Sequence, residues 1–147
     1  KAYNMAGWRV GMVCGSAEHI TQVLKLKSNM DSGMFFGIQQ GAIAALNESK
    51  DWFSQMNSVY ANRRKLVWQI ADALNTTYQK DTAGMFVFAK LPQGAANSET
   101  YIDNLLHEHH IFIAPGTIFG SAVEGYIRFS LCVSEERIQE ALNRITS

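Results

Sequence analysis

The sequence has 147 residues, of which 47% are hydrophobic and 18% charged, the balance of a single globular domain with a sizeable core. Thirteen basic and thirteen acidic residues give a formal net charge of zero, which argues against nucleic acid or an anionic membrane as a partner. No apolar stretch is long enough to cross a bilayer as a helix. The composition also argues against a disordered tail.

The first third of the chain predicts a strand followed by a helix. Residues 8–14 have the pattern of a short strand, after which Gly15 and Ser16 supply a turn and a helix N-cap. The apolar face of the following helix consists of Ile20, Val23 and Leu24.

Two more helices are predicted before the sequence changes character. The run 35–46 predicts a helix, and we expect it to be buried because Gly37 and Gly41 permit close packing. Apolar residues recur at helical spacing over 51–74, which predicts a helix long enough to connect two lobes.

The last part of the chain predicts a mixed α+β lobe. Strands are predicted over 85–91 and 111–115, with a helix over 98–109 between them. A further strand over 126–132 precedes a closing amphipathic helix. The aromatic residues of the first of these strands are expected to lie in the core, since no basic patch accompanies them.

The two cysteines, Cys14 and Cys132, each lie within an apolar run. This context favours reduced core residues over a disulfide framework, with a single bridge as the alternative. Reduced thiols lead us to expect a cytoplasmic protein. The chain starts on Lys1 rather than on methionine, so the absence of a signal peptide carries no weight.

Arg9 is a candidate anion-binding residue. On a strand it shares one face with Gly11, Val13 and Gly15, so an anionic ligand has access to bare backbone beside the guanidinium. A guanidinium binds a phosphate or carboxylate through two parallel hydrogen bonds. The alternative is an ordinary arginine on a solvated face.

Arg128 is a second candidate. In the strand over 126–132 it lies on the more polar face, opposite Ile127 and Phe129. The alternative is a structural ion pair at a strand edge. The histidines of 107–110 are interpreted as residues that stabilise a helix end, and no metal site is predicted.

The segment KAYNMAGWRVG, taken as a whole, resembles the lysine signature of the class I and II aminotransferases, the fold type I enzymes that use pyridoxal 5'-phosphate. The match has no gap. It consists of Lys1, Asn4, Met5, Gly7, Arg9, Val10 and Gly11. The segments GTIFG and EGYIRFSL are similar to the C-terminal part of these enzymes, and the resemblance extends over nearly the whole chain.

The resemblance implies roles for five residues. Lys1 matches the lysine that forms the internal aldimine with the cofactor aldehyde and then moves the substrate proton. Arg9 matches the arginine that binds the cofactor phosphate, and Arg128 the arginine that binds the substrate α-carboxylate. Ser28 and Asn29 match a loop that reaches the active site of a neighbouring subunit, which implies a homodimer.

The resemblance also implies the fold and the domain organisation. The expected class is α/β, the C-terminal portion of a fold type I transferase with the last strand and helices of the large domain, a long interdomain helix and a small α+β domain. Residues 1–47 would end the large cofactor-binding domain, and 48–147 would form the interdomain helix and the small domain. Such a portion alone is expected to be inactive, because most cofactor contacts lie elsewhere.

The expected activity of the complete protein is transfer of an amino group between an amino acid and a 2-oxo acid. Two alternatives are open. One is a pyridoxal-phosphate-dependent carbon-sulfur lyase of the same fold, and the other is a non-catalytic aminotransferase-like domain.

Overall fold

A computed structural model describes residues 2–147, and these divide into two compact units, Lys1–Trp52 and Phe53–Ser147. The division falls five residues after the boundary that we predict at residue 47 (52 against 47). The assignment of the two parts to a large and a small domain stays a prediction. Over residues 2–147, no helix has the length and apolar character needed to cross a membrane.

The first unit consists mainly of helices. A 3₁₀ helix, Ala6–Trp8, precedes α1 (Ala17–Met30) and α2 (Phe36–Leu46). Ser16 is the N-cap of α1, and its hydroxyl accepts a hydrogen bond from the backbone N–H of His19 at 3.4 Å. The predicted cap and helix are therefore confirmed.

The predicted strand over residues 8–14 is wrong. Trp8 ends the 3₁₀ helix, and residues 9–16 have no regular secondary structure. Arg9 follows the 3₁₀ helix with a φ of 54°, in the left-handed region, which no strand residue adopts. The physical reason is that a strand needs a neighbour for its backbone groups, and none of residues 2–147 pairs with this segment.

The glycines of α2 permit close packing, but the helix is not buried. A side-chain carbon built on Gly41 would lie 2.3 Å from Cζ3 of Trp8, so only glycine admits the indole there. No residue of α2 is buried, however, and Phe36, Ile43 and Leu46 are exposed. The prediction of a buried helix is therefore wrong for this chain.

The second unit contains a four-stranded antiparallel sheet with the strand order β1-β2-β4-β3. The long helix α3 begins at Lys50, before the boundary between the units. The elements from α3 onward are α3 (Lys50–Ala73), β1 (Thr77–Tyr78), β2 (Phe86–Lys90), α4 (Ser98–His109), β3 (Ala114–Pro115), the 3₁₀ helices Gly116–Phe119 and Ser121–Val123, β4 (Tyr126–Ser130) and α5 (Glu135–Thr146).

Most of these elements confirm the sequence prediction. Helix α4 has the predicted bounds, because Asn97 caps its start with a hydrogen bond from the Thr100 N–H at 2.8 Å and His110 ends it in the left-handed conformation. The strand predicted over 111–115 is shorter, since only Ala114–Pro115 pairs with β4. Strand β1 was not predicted, because two residues carry no readable period.

The core lies on one face of the sheet. Alternate residues of β2 and β4 are buried there together with residues of α3, α4 and α5, as expected from the period of two in a strand. The residues that supply most of the buried side chains are Val67, Ile70, Leu74, Val87, Ile102, Leu105, Ile127, Phe129, Leu131 and Ile138. The other face of β2 and β4 is left outside this core.

Both cysteines are free thiols, and both are exposed. The expectation of core cysteines is therefore wrong for Cys14 and Cys132. Cys14 lies in the irregular segment after Arg9, and Cys132 follows the end of β4. Neither position faces the core of its unit.

Glu124 connects the turn before β4 to the start of α4. Its Oε1 accepts hydrogen bonds from the backbone N–H of Ser98 at 2.8 Å and of Gly125 at 2.7 Å. The Ser98 hydroxyl donates to Oε2 at 3.3 Å. These bonds, that from the Ser98 N–H first, hold the pKa of the Glu124 carboxyl below its ordinary value of 4.5.

Replacing Glu124 with glutamine is expected to lower the thermal midpoint of the full-length protein at pH 7. Because the folded-state pKa is lowered, the carboxylate contributes stability that is present above pH 4.5 and is lost as the pH falls through the folded-state pKa. The difference between wild type and Glu124→Gln should therefore shrink on acidification. Glu108→Gln, at an exposed position on α4, is the control, and a pH-independent difference for Glu124→Gln would contradict the prediction.

Candidate functional site

Arg128 lies in the interior of the sheet, on the face away from the core. In β4 it pairs with Phe88 of β2 on one side and with Ala114 of β3 on the other. Its neighbours Ile127 and Phe129 are buried on the opposite face, with 0% and 5% exposure. The predicted alternation along this strand is therefore confirmed.

Two aromatic rings contact the guanidinium of Arg128. Its Cζ lies 4.0 Å from the ring centroid of Phe86 and 3.9 Å from that of Phe119. Phe119 ends the 3₁₀ helix Gly116–Phe119 and also makes an edge contact with Phe88, at 5.9 Å between centroids. The cation is thus held by residues from β2 and from the segment between β3 and β4.

The hydrogen-bond donors of Arg128 have no acceptor among residues 2–147, and no carboxylate there lies within ion-pair distance. Other arginines of the second unit use their donors structurally. Arg63 donates to the Leu131 carbonyl at 3.0 Å, and Arg64 donates to the carbonyls of Thr82 and Gly84, each at 2.6 Å. Arg128 therefore makes no structural ion pair with any of residues 2–147.

An open cleft of about 730 Å³ lies along β1 and β2, and Phe86 and Phe88 are among the residues that line it. Thr77, Lys90 and Tyr126 also line it. Arg128 is not among the lining residues of this cleft; it lines a second cavity, of about 500 Å³, together with residues of β3, β4 and α5.

Arg9 is exposed, and it forms no ion pair with an acidic residue among residues 2–147. Side-chain carbons built on Gly7 or Gly11 would meet nothing within 4 Å, so the backbone on both sides of Arg9 is open. The strand argument for a face shared with Val13 and Gly15 no longer applies, but an accessible guanidinium beside open backbone is present. Lys1 lies outside the described residues.

Ser28 and Asn29 do not lie in a loop. They belong to the last turns of α1, where the Ser28 hydroxyl and the Asn29 side-chain amide both donate to the Lys25 carbonyl, at 3.2 and 2.7 Å. The expectation of a loop is wrong because these polar side chains find an acceptor within the helix itself. Their role toward a second subunit stays a prediction.

The histidines at the end of α4 are used in packing between helices. Nδ1 of His109 lies 2.8 Å from the carbonyl oxygen of Arg144 on α5, and the Arg144 guanidinium donates to the His110 carbonyl at 3.3 Å. Among residues 2–147 there is no cluster of three or more groups suited to a metal ion.

The sequence reasoning missed Phe86 and Phe119 as functional candidates. Aromatic residues of the strand over 85–91 were expected in the core, but Val87 and Ala89 occupy it, with exposures of 2% and 0%. The alternation of Phe86 and Phe88 with these two residues was the signal that both rings face away. No local signal identifies Phe119.

Comparison with known proteins places the whole chain in one family. A family profile described as "Aminotransferase class I and II" matches residues 1–145. The chain is 38% identical over 146 residues to the LL-diaminopimelate aminotransferase of Maridesulfovibrio salexigens, covering 99% of this chain and 37% of that protein.

Solved structures give the same result. The aromatic aminotransferase from Pyrococcus horikoshii superposes with a TM-score of 0.87 at 28% identity, over 99% of this chain and 39% of that one. An aminotransferase from Staphylococcus aureus gives 0.84 at 32% identity, over 99% and 39%. The expected fold class is confirmed.

The chain spans 37% to 38% of the length of the curated relatives that it matches. Within that span, the helices, the small antiparallel sheet and the sequence all agree with the same group of proteins. The chain therefore belongs to the aminotransferase class I and II family.

Proposed function

We propose that the protein containing this chain is a pyridoxal-phosphate-dependent aminotransferase that moves an amino group between an amino acid and a 2-oxo acid. The observation that carries this proposal is the guanidinium of Arg128, which two rings hold on the open face of the sheet and which has no acceptor among residues 2–147. Membership of the family supports the same activity.

Arg128 is assigned to the substrate's α-carboxylate. A guanidinium presents two parallel N–H donors that match the two oxygens of a carboxylate. It therefore orients the amino acid and also compensates the negative charge of the carboxylate. A fixed carboxylate leaves the α-carbon in a defined place, which is what a reaction at that carbon requires.

The residues of the first unit fit the cofactor in part. Pyridoxal 5'-phosphate carries a phosphate and an aldehyde, and the exposed guanidinium of Arg9 beside open backbone is a suitable partner for the phosphate. When bound, the cofactor supplies an electron sink for negative charge at the substrate α-carbon. Lys1 is proposed as the amine that binds the aldehyde and then carries the α-proton.

We also propose that the protein acts as a homodimer in the cytoplasm. The first unit leaves large apolar side chains exposed, among them Val23, Leu24, Leu26, Met30, Phe35 and Phe36. Exposure on this scale is characteristic of a surface that another part of the protein or another subunit covers. Ser28 and Asn29, the residues to which the resemblance assigns subunit contact, lie on the same helix as four of these residues.

The activity is tested with the full-length protein, the cofactor and a panel of amino acid donors, with 2-oxoglutarate or pyruvate as acceptor. The panel includes LL-diaminopimelate, because curated relatives carry that substrate in their names. We expect a new amino acid to form with at least one donor, and Lys1→Ala to abolish its formation. Lys65→Ala, at an exposed position on α3, is the control and should retain activity.

The products distinguish the alternatives. Pyruvate and ammonia released from a donor without an acceptor would favour the carbon-sulfur lyase. Binding of the cofactor without turnover of any donor would favour the non-catalytic domain. Equal turnover by wild type and Lys1→Ala would contradict the role assigned to Lys1.

A further inference from the structure

The strongest unexplained feature of the second unit is the pair of rings around Arg128. Phe86 comes from β2 and Phe119 from the 3₁₀ helix Gly116–Phe119, and both ring centroids lie within 4.0 Å of the same guanidinium carbon. Neither ring belongs to the buried core of the unit, and Phe119 is 41% exposed. Two large apolar groups on the outer face of a sheet need a reason other than core packing.

The rings restrict Arg128 without using its hydrogen-bond donors. A guanidinium stacks on aromatic rings through its faces, while its five N–H groups point outward in its plane. A carbonyl or carboxylate partner, such as those of Arg63, Arg64 and Arg144, would hold the side chain equally well but would occupy these donors. Aromatic contacts therefore immobilise the cation and leave it able to bind.

Immobilisation matters because arginine is long and flexible. A free arginine side chain loses considerable rotamer entropy when it binds a carboxylate, and that loss weakens binding. A guanidinium that is already held in place pays less of this cost. Phe88 supports the arrangement, since its ring makes an edge contact with Phe119.

We propose that Phe86 and Phe119 are positioning residues that hold the Arg128 guanidinium in the orientation that binds the substrate carboxylate. This inference rests on the proposed function, because it takes Arg128 as the carboxylate-binding residue. It assigns to Phe119 a role that depends on its ring and not on its bulk alone.

The test uses the full-length protein with its arginines labelled with ¹⁵N. The Nε–H signal of Arg128 is identified by its disappearance in Arg128→Lys. Propionate is titrated as the probe, with propionamide as an uncharged control of similar size, and the shift of the Arg128 signal gives the dissociation constant. Variants are Phe119→Leu, which removes the ring, Phe119→Tyr, which keeps it, and Phe112→Leu, a control at an exposed phenylalanine that lines the same cavity as Arg128 but makes no ring contact with its guanidinium.

In wild type we expect a saturable shift with propionate and none with propionamide. Phe119→Leu should move the free Arg128 signal, because ring-current shielding is lost, and should weaken propionate binding about fivefold. Phe119→Tyr should restore binding to within about twofold of wild type, and Phe112→Leu should change neither signal nor binding. Phe86→Leu is expected to act in the same direction as Phe119→Leu.

The outcomes separate this inference from the proposed function. If propionate leaves the Arg128 signal of wild type unchanged, the assignment of Arg128 to the carboxylate fails, and the inference fails with it. If propionate binds wild type and Phe119→Leu equally well, only the positioning role is overturned. Equal weakening by Phe119→Leu and Phe119→Tyr would also overturn it, because bulk or folding, and not the aromatic face, would then be responsible.

Discussion

Replacing Arg128 with lysine in the full-length protein is expected to lower kcat/KM for amino acid donors about a hundredfold, equivalent to about 3 kcal/mol. Lysine keeps the positive charge but presents a compact ammonium in place of the planar fork, so it loses the paired hydrogen bonds to the carboxylate. It also loses the stacking on Phe86 and Phe119. The measurement is steady-state kinetics over a range of donor concentrations.

Lys65→Arg, the reverse exchange of the two basic side chains, provides the control for this prediction. Lys65 is exposed on α3 and lines neither cavity of the second unit, so its replacement should change kcat/KM by less than about twofold. A comparably small change for Arg128→Lys would remove the main support for the assignment of Arg128. A large loss for both variants would indicate a general effect of exchanging basic residues and not a binding site.

Replacing Gly116 with alanine is expected to destabilise the second unit by about 3 kcal/mol or more. A side-chain carbon at this position would lie 1.9 Å from the Val123 carbonyl oxygen and 2.7 Å from that of Tyr126. Both contacts are with backbone, so no flexible side chain can move aside, and the segment between β3 and β4 has to shift. Thermal unfolding of the full-length protein, followed by calorimetry, measures the loss.

The same substitution should also weaken carboxylate binding, because Gly116 begins the 3₁₀ helix that ends at Phe119. Gly15→Ala is the control, since a carbon built on Gly15 finds its nearest atom, Cδ1 of Ile20, at an ordinary 3.9 Å. An unfolding midpoint of Gly116→Ala equal to that of wild type would contradict the tight packing seen around this glycine.

Local signals in the sequence were sufficient for the helices. Ser16 was predicted as the cap of α1 and accepts a hydrogen bond there, and such a cap is readable because donor and acceptor lie three residues apart. The face of β4 was also predicted, since alternation of apolar and polar residues needs no knowledge of the partner strand. The lysine signature identified the family for the same reason, because its residues lie close together within positions 1–11.

Predictions that depend on distant partners were less successful. The run over residues 8–14 is apolar enough for a strand, but a strand exists only where another strand supplies hydrogen bonds, and residues 2–147 supply none there. Cys14 was expected in a core because its neighbours are apolar, yet burial depends on what packs against the segment. Ser28 and Asn29 were predicted in a loop, yet both side chains donate hydrogen bonds to the Lys25 carbonyl within α1.

The sequence by itself determined the family, the order of the helices and the polar side of the strand that carries Arg128, because each of these follows from residues close together in the chain. Only the tertiary structure decided what surrounds that arginine. Phe86 and Phe119 meet at Arg128 because β2 pairs with β4 and because Gly116 lets the start of the 3₁₀ helix Gly116–Phe119 lie close to the backbone carbonyls of Val123 and Tyr126. Contacts of this kind depend on strand pairing and close packing between distant segments, and no period or spacing in the sequence encodes them.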